Sequence, residues 1–318
     1  MDLLSLFYFS ELAKDLNMTH TASRLFVSQQ TLSNHIKRLE EYYACKLLYR
    51  KPTLSLTCAG EYVLKFAKLV NKENLNLQDI LSDIEQQERG IILFGASSLR
   101  LNACLPNILP AFVVAYPHVE IRLTDTISSQ LEPMVLNGQL DLAIVMSRES
   151  NPKLEDYKLM DDQIYLCVSD ALMQTHYGSE ATALKQRAIT GANVKDFARL
   201  PFCLLSNRMG REVQTCFDEA GVTPIPFLTS TYTQVSTTTC FQGLAAGFIS
   251  QMSLVNQRGQ IPGDINIFPL HRRNAPVTQR LSLIRHKDRY LSHYAKHFLD
   301  LLFQYFADTQ QVQMERMV

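Results

Sequence analysis

The stretch THTASRLFVSQQTLSNHIKRL, Thr19–Leu39, predicts two short helices joined by a sharp turn. The first helix is expected over Thr19–Phe26 with Thr19 as its N-cap, because a threonine hydroxyl accepts a hydrogen bond from an early backbone N–H. Val27 lies in the turn, and Ser28 caps the second helix. Apolar residues recur in that helix at i, i+4 and i+7, which predicts one buried stripe of Leu32, Ile36 and Leu39.

The other face of the second helix carries hydroxyl and amide side chains followed by cations. Amides and hydroxyls hydrogen-bond base edges, whereas lysine and arginine bind phosphates. This face is therefore a candidate DNA-contacting surface. Its candidate residues, with neighbours on either side, are Thr19, Ser28, Gln29, Gln30, Thr31, Ser33, Asn34, Lys37, Arg38 and Arg50.

Residues 1–60 resemble the winged helix-turn-helix of the LysR-type transcriptional regulators. The resemblance is carried by Phe9, Thr19, Ala22, Leu25, Val27-Ser28-Gln29, Leu32-Ser33, Ile36, Leu39-Glu40, Leu47, Arg50, Leu56-Thr57 and Ala59-Gly60. Many positions match at the right spacing over a whole domain, which is far more specific than a short motif. The chain departs from the family at Asn34 and His35, and Thr53 replaces a common arginine in the wing, 51–55.

Composition excludes several classes of protein. The 318 residues are 46% hydrophobic with a net charge of +0, which predicts two or three domains with sizeable cores and no overall basic signal. Seven scattered cysteines without C-x-x-C spacing favour free thiols in a reducing compartment. The apolar N-terminus lacks a basic n-region, and Pro106 and Pro110 are expected to interrupt the longest apolar run, so a cytoplasmic protein without a membrane span is expected.

A long helix is predicted from just after Thr57 to about Glu88. Its apolar residues at spacings of three and four are Val63, Phe66, Val70, Leu77, Ile80 and Ile84. This pattern is typical of a coiled-coil seam between two subunits. The alternative is a helix buried against its own chain, and the family resemblance favours dimerisation.

From residue 90 onward, predicted strands alternate with helices, which indicates an α/β fold. Gly90 is expected to break the linker helix, and Ile265–Leu270 and Thr278–Arg285 are expected to return to the first lobe. Residues 90–306 resemble the family's effector-binding region, which implies two lobes like those of periplasmic binding proteins. The predicted fold is an N-terminal winged helix-turn-helix (1–58), a linker helix (59–89) and a two-lobed α/β effector domain (90–318). Lobe I is expected over about 90–162 and 266–306, and lobe II over about 163–265.

Polar residues follow the predicted strands of this region. Ligands of open α/β sheets bind beyond the carboxyl ends of strands, where helix N-termini offer free N–H groups. The candidate effector-binding residues are Ser97, Ser98, Thr126, Ser147, Ser206, Asn207 and Tyr232. These donors predict a small, polar, anionic effector. The alternative for each Ser, Thr or Asn is ordinary helix capping. Arg100 and Arg208 are either partners for a carboxylate or surface charges.

Motifs for catalysis, cofactors or metal binding are absent from the sequence. The adjacent acids Glu40-Glu41 and Asp161-Asp162 are interpreted as solvated charge. The sequence therefore predicts a regulator and not an enzyme, the alternatives being an enzyme or a solute-binding protein that uses the α/β region. The resemblance implies a homodimer, assembling further into a homotetramer, on double-stranded DNA with an interrupted inverted repeat, and RNA polymerase is a further candidate partner.

Overall fold

The computed structural model describes residues 2–50, 53–84, 89–146 and 151–312. Three helices and a two-stranded hairpin form the N-terminal unit: α1 (Leu3–Asp15), α2 (Met18–Arg24), α3 (Gln29–Tyr42), β1 (Leu48–Tyr49) and β2 (Ser55–Leu56). The predicted stripe is confirmed, because Leu32, Ile36 and Leu39 are fully buried against α1. The expected N-cap at Thr19 is wrong. Asn17 caps α2 instead, its side chain accepting from the N–H of His20 at 3.0 Å.

The linker helix α4 spans Cys58–Ile84. Its 27 residues give a rod of about 40 Å. Its first half packs on α1 through Ala67 and the half-buried Val63 and Val70. Further along, Asn76 is buried and its side-chain oxygen accepts from the N–H of Tyr290 at 3.2 Å, which docks the helix on the α/β region. The predicted end of the helix, 85–88, lies outside the described residues.

The first part of the α/β region consists of β3 (Arg89–Ala96), α5 (Ser98–Ala115), β4 (His118–Asp125), α6 (Ser128–Leu136) and β5 (Leu142–Met146). β3 pairs in parallel with both β4 and β5. Gly90 does not break the linker helix but lies in β3, where a Cβ would come within 2.2 Å of the Tyr294 hydroxyl. A glycine is needed there because another side chain approaches the backbone.

Pro106 and Pro110 lie inside α5, which continues through both of them. They do not divide its apolar run, contrary to the sequence-based expectation. α5 is the one helix among the described residues that is long and apolar enough, by length and composition, to cross a membrane. It is also a core helix of this region, because Leu101, Ile108 and Phe112 are buried among β3, β5 and the C-terminal helix.

The second part follows the long strand β6 (Leu154–Ser169). Its elements are α7 (Asp170–Tyr177), α8 (Ala181–Ala188), β7 (Pro201–Leu205), α9 (Arg208–Ala220), β8 (Ile225–Ser230), α10 (Thr233–Phe241), β9 (Ala246–Ser250), α11 (Gln251–Asn256) and β10 (Ile265–Pro269). The polar stretch 170–195, which has weak periodicity, folds mainly as α7 and α8. The predicted helix Thr233–Ala246 is shorter than expected, because the chain turns at Gly243, with φ +71°, and enters β9.

The chain ends with a small hairpin of β11 (His271–Arg272) and β12 (Ala275–Pro276), then β13 (Thr278–His286) and α12 (His293–Gln311). Nine of the strands form one mixed sheet that is continuous through β6. The first half of β6 pairs with β13, and its second half pairs with β9 and β10. The expected return at Ile265 is therefore wrong: β10 stays with the second part, and only β13 returns to the first.

Candidate nucleic-acid interface and inter-lobe cleft

The turn between α2 and α3 fixes the start of the second helix. Phe26 adopts a positive φ of 54°, and the N–H of Val27 donates to the carbonyl of Ala22 at 3.0 Å. The Ser28 hydroxyl then accepts from the N–H of Thr31 at 3.0 Å, which confirms the predicted cap. Because α3 is capped at this end and buried along one stripe, its other face is held rigidly outward.

Most of the predicted DNA-contacting side chains lie on α3, and Thr19, Ser28 and Arg50 lie outside it. The exposed ones are Thr19, Ser28, Gln29, Gln30, Thr31, Asn34, Lys37, Arg38 and Arg50, and Ser33 is half-buried. The Thr19 hydroxyl lies 3.5 Å from the Gln29 side-chain oxygen, so α2 and α3 contribute to one surface. This contact joins Thr19 to α3, and Arg50 follows β1 of the wing. Lys51 and Pro52, which the sequence predicts for the wing, lie outside the described residues.

The cations of this surface have carboxylate neighbours. Lys37 Nζ is 3.5 Å from Glu41, Arg38 is 4.0 Å from Asp2, and Arg50 is 3.9 Å from Glu40. The first two pairs are solvent-exposed at both ends, where such pairs contribute little and phosphates compete readily. Glu40 is different: its side chain is buried, so its interpretation as solvated charge is wrong.

His35 belongs to the interior side of α3. Its Nδ1 is 2.8 Å from the Ser5 hydroxyl, and its ring meets Tyr8 edge-on at a centroid distance of 4.8 Å. His35 therefore ties α3 to α1 and leaves Asn34 as the exposed member of the Asn34-His35 pair. The sequence pattern held no signal for this contact, because its partners lie about thirty residues away.

In the first lobe, Ser97, Ser98 and Thr126 lie at neighbouring strand ends. The N–H of Thr126 donates to the carbonyl of Ala96 at 3.3 Å, next to the start of α5. The expectation that the Ser98 N–H points at a ligand is wrong, because it donates to Asp125 Oδ1 at 2.7 Å. A carboxylate of the chain itself thus occupies the positive end of α5. The Thr126 hydroxyl donates to the Gln130 side chain.

In the second lobe, Ser206, Asn207 and Tyr232 form a corresponding group. The Ser206 N–H donates to the carbonyl of Ser230 at 2.9 Å, and Asn207 caps α9 by accepting from Gly210 at 3.0 Å. Capping, the ordinary interpretation, therefore holds for the Asn207 side chain. Tyr232 is 73% exposed. The remaining candidate, Ser147, lies outside the described residues.

Arg208, at the start of α9, joins the two lobes. Its guanidinium donates to the carbonyl of Met146, at the end of β5, at 2.9 Å. This contact brings the second lobe against the strand ends of the first. Arg208 is therefore a contact between lobes and not only a surface charge.

Two buried charged groups, Arg100 and Asp162, accompany Arg208. The burial of Arg100 excludes the alternative that it is a surface charge. Arg100 is only 7% exposed and donates to the Ser97 hydroxyl at 2.8 Å, while its Nε is buried without a hydrogen-bond partner. Burial lowers the pKa of Arg100 to about 10; Asp162 opposes this effect and Arg208 adds to it. Arg100 therefore interacts electrostatically with both Asp162 and Arg208.

Asp162 lies on the shared strand β6 and is 2% exposed, so its interpretation as solvated charge is wrong. Its carboxylate accepts from the N–H of Met252 at 2.9 Å. Burial raises the pKa of Asp162 to about 6, although the hydrogen bonds from Met252 and Ser250 and the charge of Arg100 pull it down. Among the described residues, no group of three or more His, Cys, Asp and Glu side chains is placed to hold a metal ion.

Two family models match most of the chain. The model described as "Bacterial regulatory helix-turn-helix protein, lysR family" matches residues 3–61. The model described as "LysR substrate binding domain" matches residues 85–307.

Individual proteins and solved structures agree with the two family models. The chain is 25% identical over 314 residues to the uncharacterized HTH-type transcriptional regulator YcgK of Bacillus subtilis, covering 95% of this chain and 94% of that one. It is 30% identical over 177 residues to the uncharacterized HTH-type transcriptional regulator YkuM of the same organism, a match that spans 54% of this chain and only 60% of YkuM. A full-length OxyR variant from Pseudomonas aeruginosa shares the fold with a TM-score of 0.67 at 17% identity, covering 96% of this chain and 94% of that one.

The buried carboxyl of Asp162 predicts a pH-dependent stability. Its pKa is raised from 3.8 to about 6, so the folded chain holds a proton over that window and loses this advantage as pH rises through it. Asp162→Asn keeps an acceptor for Met252 and removes this dependence. The free energy of unfolding of Asp162→Asn relative to wild type should increase by roughly 2 kcal/mol between about pH 4.5 and about pH 7.5 in urea titrations.

Asp161→Asn is the matched control, because it removes a carboxylate from the exposed side of the same strand. A difference between Asp162→Asn and wild type that stays constant with pH would contradict the raised pKa.

Proposed function

Because this chain belongs to the LysR family of transcriptional regulators, we propose that it binds double-stranded DNA sequence-specifically through the exposed face of α3. We further propose that it acts as a cytoplasmic homo-oligomer whose DNA binding responds to a small anionic effector held between the lobes. RNA polymerase remains a predicted partner. The observation that carries the proposal is the rigid, outward presentation of amide and hydroxyl side chains on α3.

This face has the chemistry that base reading requires. Gln29, Gln30 and Asn34 are exposed amides, and an amide forms two hydrogen bonds with the N6 and N7 edge of adenine in the major groove. The Ser28 hydroxyl already caps the helix, which fixes the first turn, where recognition helices contact bases. Lys37 lies further along the helix and contacts phosphate in this proposal.

Substitutions should distinguish residues that contact bases from residues that contact phosphates. Asn34→Ala should change sequence preference by about 1–3 kcal/mol at one base pair, because a bidentate amide contact is lost. Lys37→Ala should weaken binding to all duplexes similarly and lower the salt slope by about one. Both effects are measured by titrating duplexes selected from a random pool at several salt concentrations.

Glu61→Gln is the control, because it changes an exposed side chain at the start of the linker helix and should leave the DNA-binding domain folded and its specificity unchanged. Unchanged specificity in Gln29→Ala, Ser33→Ala and Asn34→Ala together would contradict the assignment of this face.

An apolar surface on α1 and α4 supports a homodimer. On α4, Phe66, Leu69, Leu77 and Leu81 are exposed, and on α1, Leu3, Leu4 and Phe7 are exposed. Val70, predicted for the seam, is half-buried against the N-terminal core of its own chain. Several large apolar side chains exposed on one long helix are typical of an interaction site. A two-fold dimer would present two α3 helices to an inverted repeat, and a tetramer would join two such dimers.

Leu77 tests this assembly because its side chain is 52% exposed in the single chain. Leu77→Asp should cost several kcal/mol of association, since burying an unpaired charge at an interface is unfavourable. The variant should become monomeric in light scattering and lose simultaneous protection of both half-sites in footprinting. The neighbouring exposed Gln78→Asp adds the same charge and should leave the assembly intact, and a dimeric Leu77→Asp would place the seam elsewhere.

The charged groups between the lobes support an anionic effector. Arg100 has a buried Nε without a hydrogen-bond partner, and the Arg208 guanidinium donates to a neutral carbonyl, Met146 O. Arginine donors bind carboxylates more strongly than neutral acceptors. Asp125 blocks the Ser98 N–H, so in this proposal the guanidinium groups carry the recognition and the hydroxyls of Ser97 and Ser98 assist.

Arg208→Gln should abolish stabilisation by the effector while leaving DNA binding intact. The reason is that the variant removes the positive charge at the lobe contact and lies far from α3 in the chain. The measurement is a thermal-shift screen of small mono- and dicarboxylates against wild type, Arg208→Gln and the control Arg211→Gln, an exposed arginine one turn further along α9. A carboxylate that stabilises all three proteins equally would show that Arg208 is not part of the effector site.

A further inference from the structure

Glu40 is a buried carboxylate at the end of the helix proposed to read DNA. It lies in the last turn of α3, and its side chain is 4% exposed. A carboxylate is expensive to bury unless hydrogen bonds and opposite charges compensate. Its environment therefore indicates what the residue does.

One carboxylate oxygen anchors the wing. Glu40 Oε1 accepts from the N–H of Leu47 at 3.0 Å and of Leu48 at 3.4 Å. The wing hairpin itself has only two registered pairs between β1 and β2, too few to fix its direction alone. Leu47 is held from its other side as well, because its carbonyl accepts from the N–H of Thr57 at 3.0 Å. The orientation of β1 relative to α3 thus depends on Glu40.

The other oxygen faces two cations. Glu40 Oε2 is 3.4 Å from Lys46 Nζ and 3.9 Å from Arg50. The side chains of Lys46 and Arg50 are 78% and 56% exposed, so solvent and DNA reach the cations while their counter-charge stays buried. Salt ions and DNA phosphates compete readily with the exposed carboxylate of Glu41 for Lys37. They compete less with the buried carboxylate of Glu40 for Lys46 and Arg50.

We propose that Glu40 is a positioning residue that sets DNA specificity: its buried carboxylate aims Arg50 and partly neutralises Lys46 and Arg50. This inference rests on the proposed DNA binding by α3 and the wing. Sequence-independent affinity comes from cations that replace the counterions of phosphates. A cation that already has a fixed counter-charge gains less from a phosphate. Glu40 therefore weakens the sequence-independent affinity for DNA. As a result, the base contacts of α3 contribute a larger share of the total affinity.

The test is Glu40→Gln in the full-length chain. Its amide oxygen can still accept from Leu47 and Leu48, but the negative charge is gone. Dissociation constants are measured against salt for a random-sequence duplex and for the tightest duplex selected from a random pool. The random duplex should bind on the order of 3–10-fold more tightly at about 0.1 M salt, with a salt slope steeper by up to about one, and the specificity ratio should fall.

Glu61→Gln, which removes the same charge from an exposed site, should leave slope and ratio near those of wild type. An unchanged slope and ratio in folded Glu40→Gln would overturn the proposal. Weaker binding of both duplexes at an unchanged slope would also overturn it, since that is the result of a purely structural anchor. A wild type that binds both duplexes equally would instead overturn the proposed DNA reading.

A second comparison in the otherwise wild-type chain keeps the inference testable should thermal unfolding show that Glu40→Gln is not folded. Arg50→Gln should lower the salt slope less than Lys37→Gln, because Arg50 has a buried counter-charge and Lys37 an exposed one. Equal decreases, or a larger decrease for Arg50→Gln, would overturn the role of Glu40.

Discussion

The two lobes of the α/β region depend on the hydrogen bonding of one strand, β6. Its 16 residues pair first with β13 and then with β9 and β10, so the same backbone belongs to both halves of the sheet. Backbone donors and acceptors that are buried must be paired, and β6 is paired along both lobes. Asp162 lies near the point where the pairing changes, and it binds the backbone of Met252 at the start of α11. The place where the two lobes join therefore contains a buried, hydrogen-bonded carboxyl group, that of Asp162.

Local patterns of the sequence predicted the buried stripe and the second cap of the N-terminal unit. The stripe of Leu32, Ile36 and Leu39 and the Ser28 cap depend on residues within one or two helical turns, and both were predicted correctly. Asn17 and Thr19 are both good caps two residues apart, and only the path of the chain decides between them. The exposure of the candidate DNA-contacting residues of α3 could be predicted, because exposure opposite a buried stripe follows from helical periodicity.

Contacts between distant parts of the chain were not predictable in this way. Glu40 and Asp162 each belong to an adjacent pair of acids, and nothing in either pair marks which member is buried. The partner of Asp162 is a backbone N–H ninety residues further on. β10 was assigned to the wrong lobe for the same reason, since pairing partners in a sheet are not encoded in the alternation of a single strand. Asp125 reached the N-terminus of α5 from the next strand, and its effect on the candidate cleft could not be foreseen from Ser97 and Ser98 alone.

The hydrogen bond between Asn76 and Tyr290 gives α4 the geometry of a lever. Ala67 embeds the rod in the N-terminal core, and Asn76, further along the helix, ties it to the α/β region. From Asn76 back to Cys58 the helix covers about 27 Å, so a tilt of about ten degrees about Asn76 displaces its start by roughly 5 Å. That is more than one base-pair step along B-form DNA, whose rise is about 3.4 Å. A rearrangement too small to alter the fold of either lobe is thus large on the scale of a base-pair step.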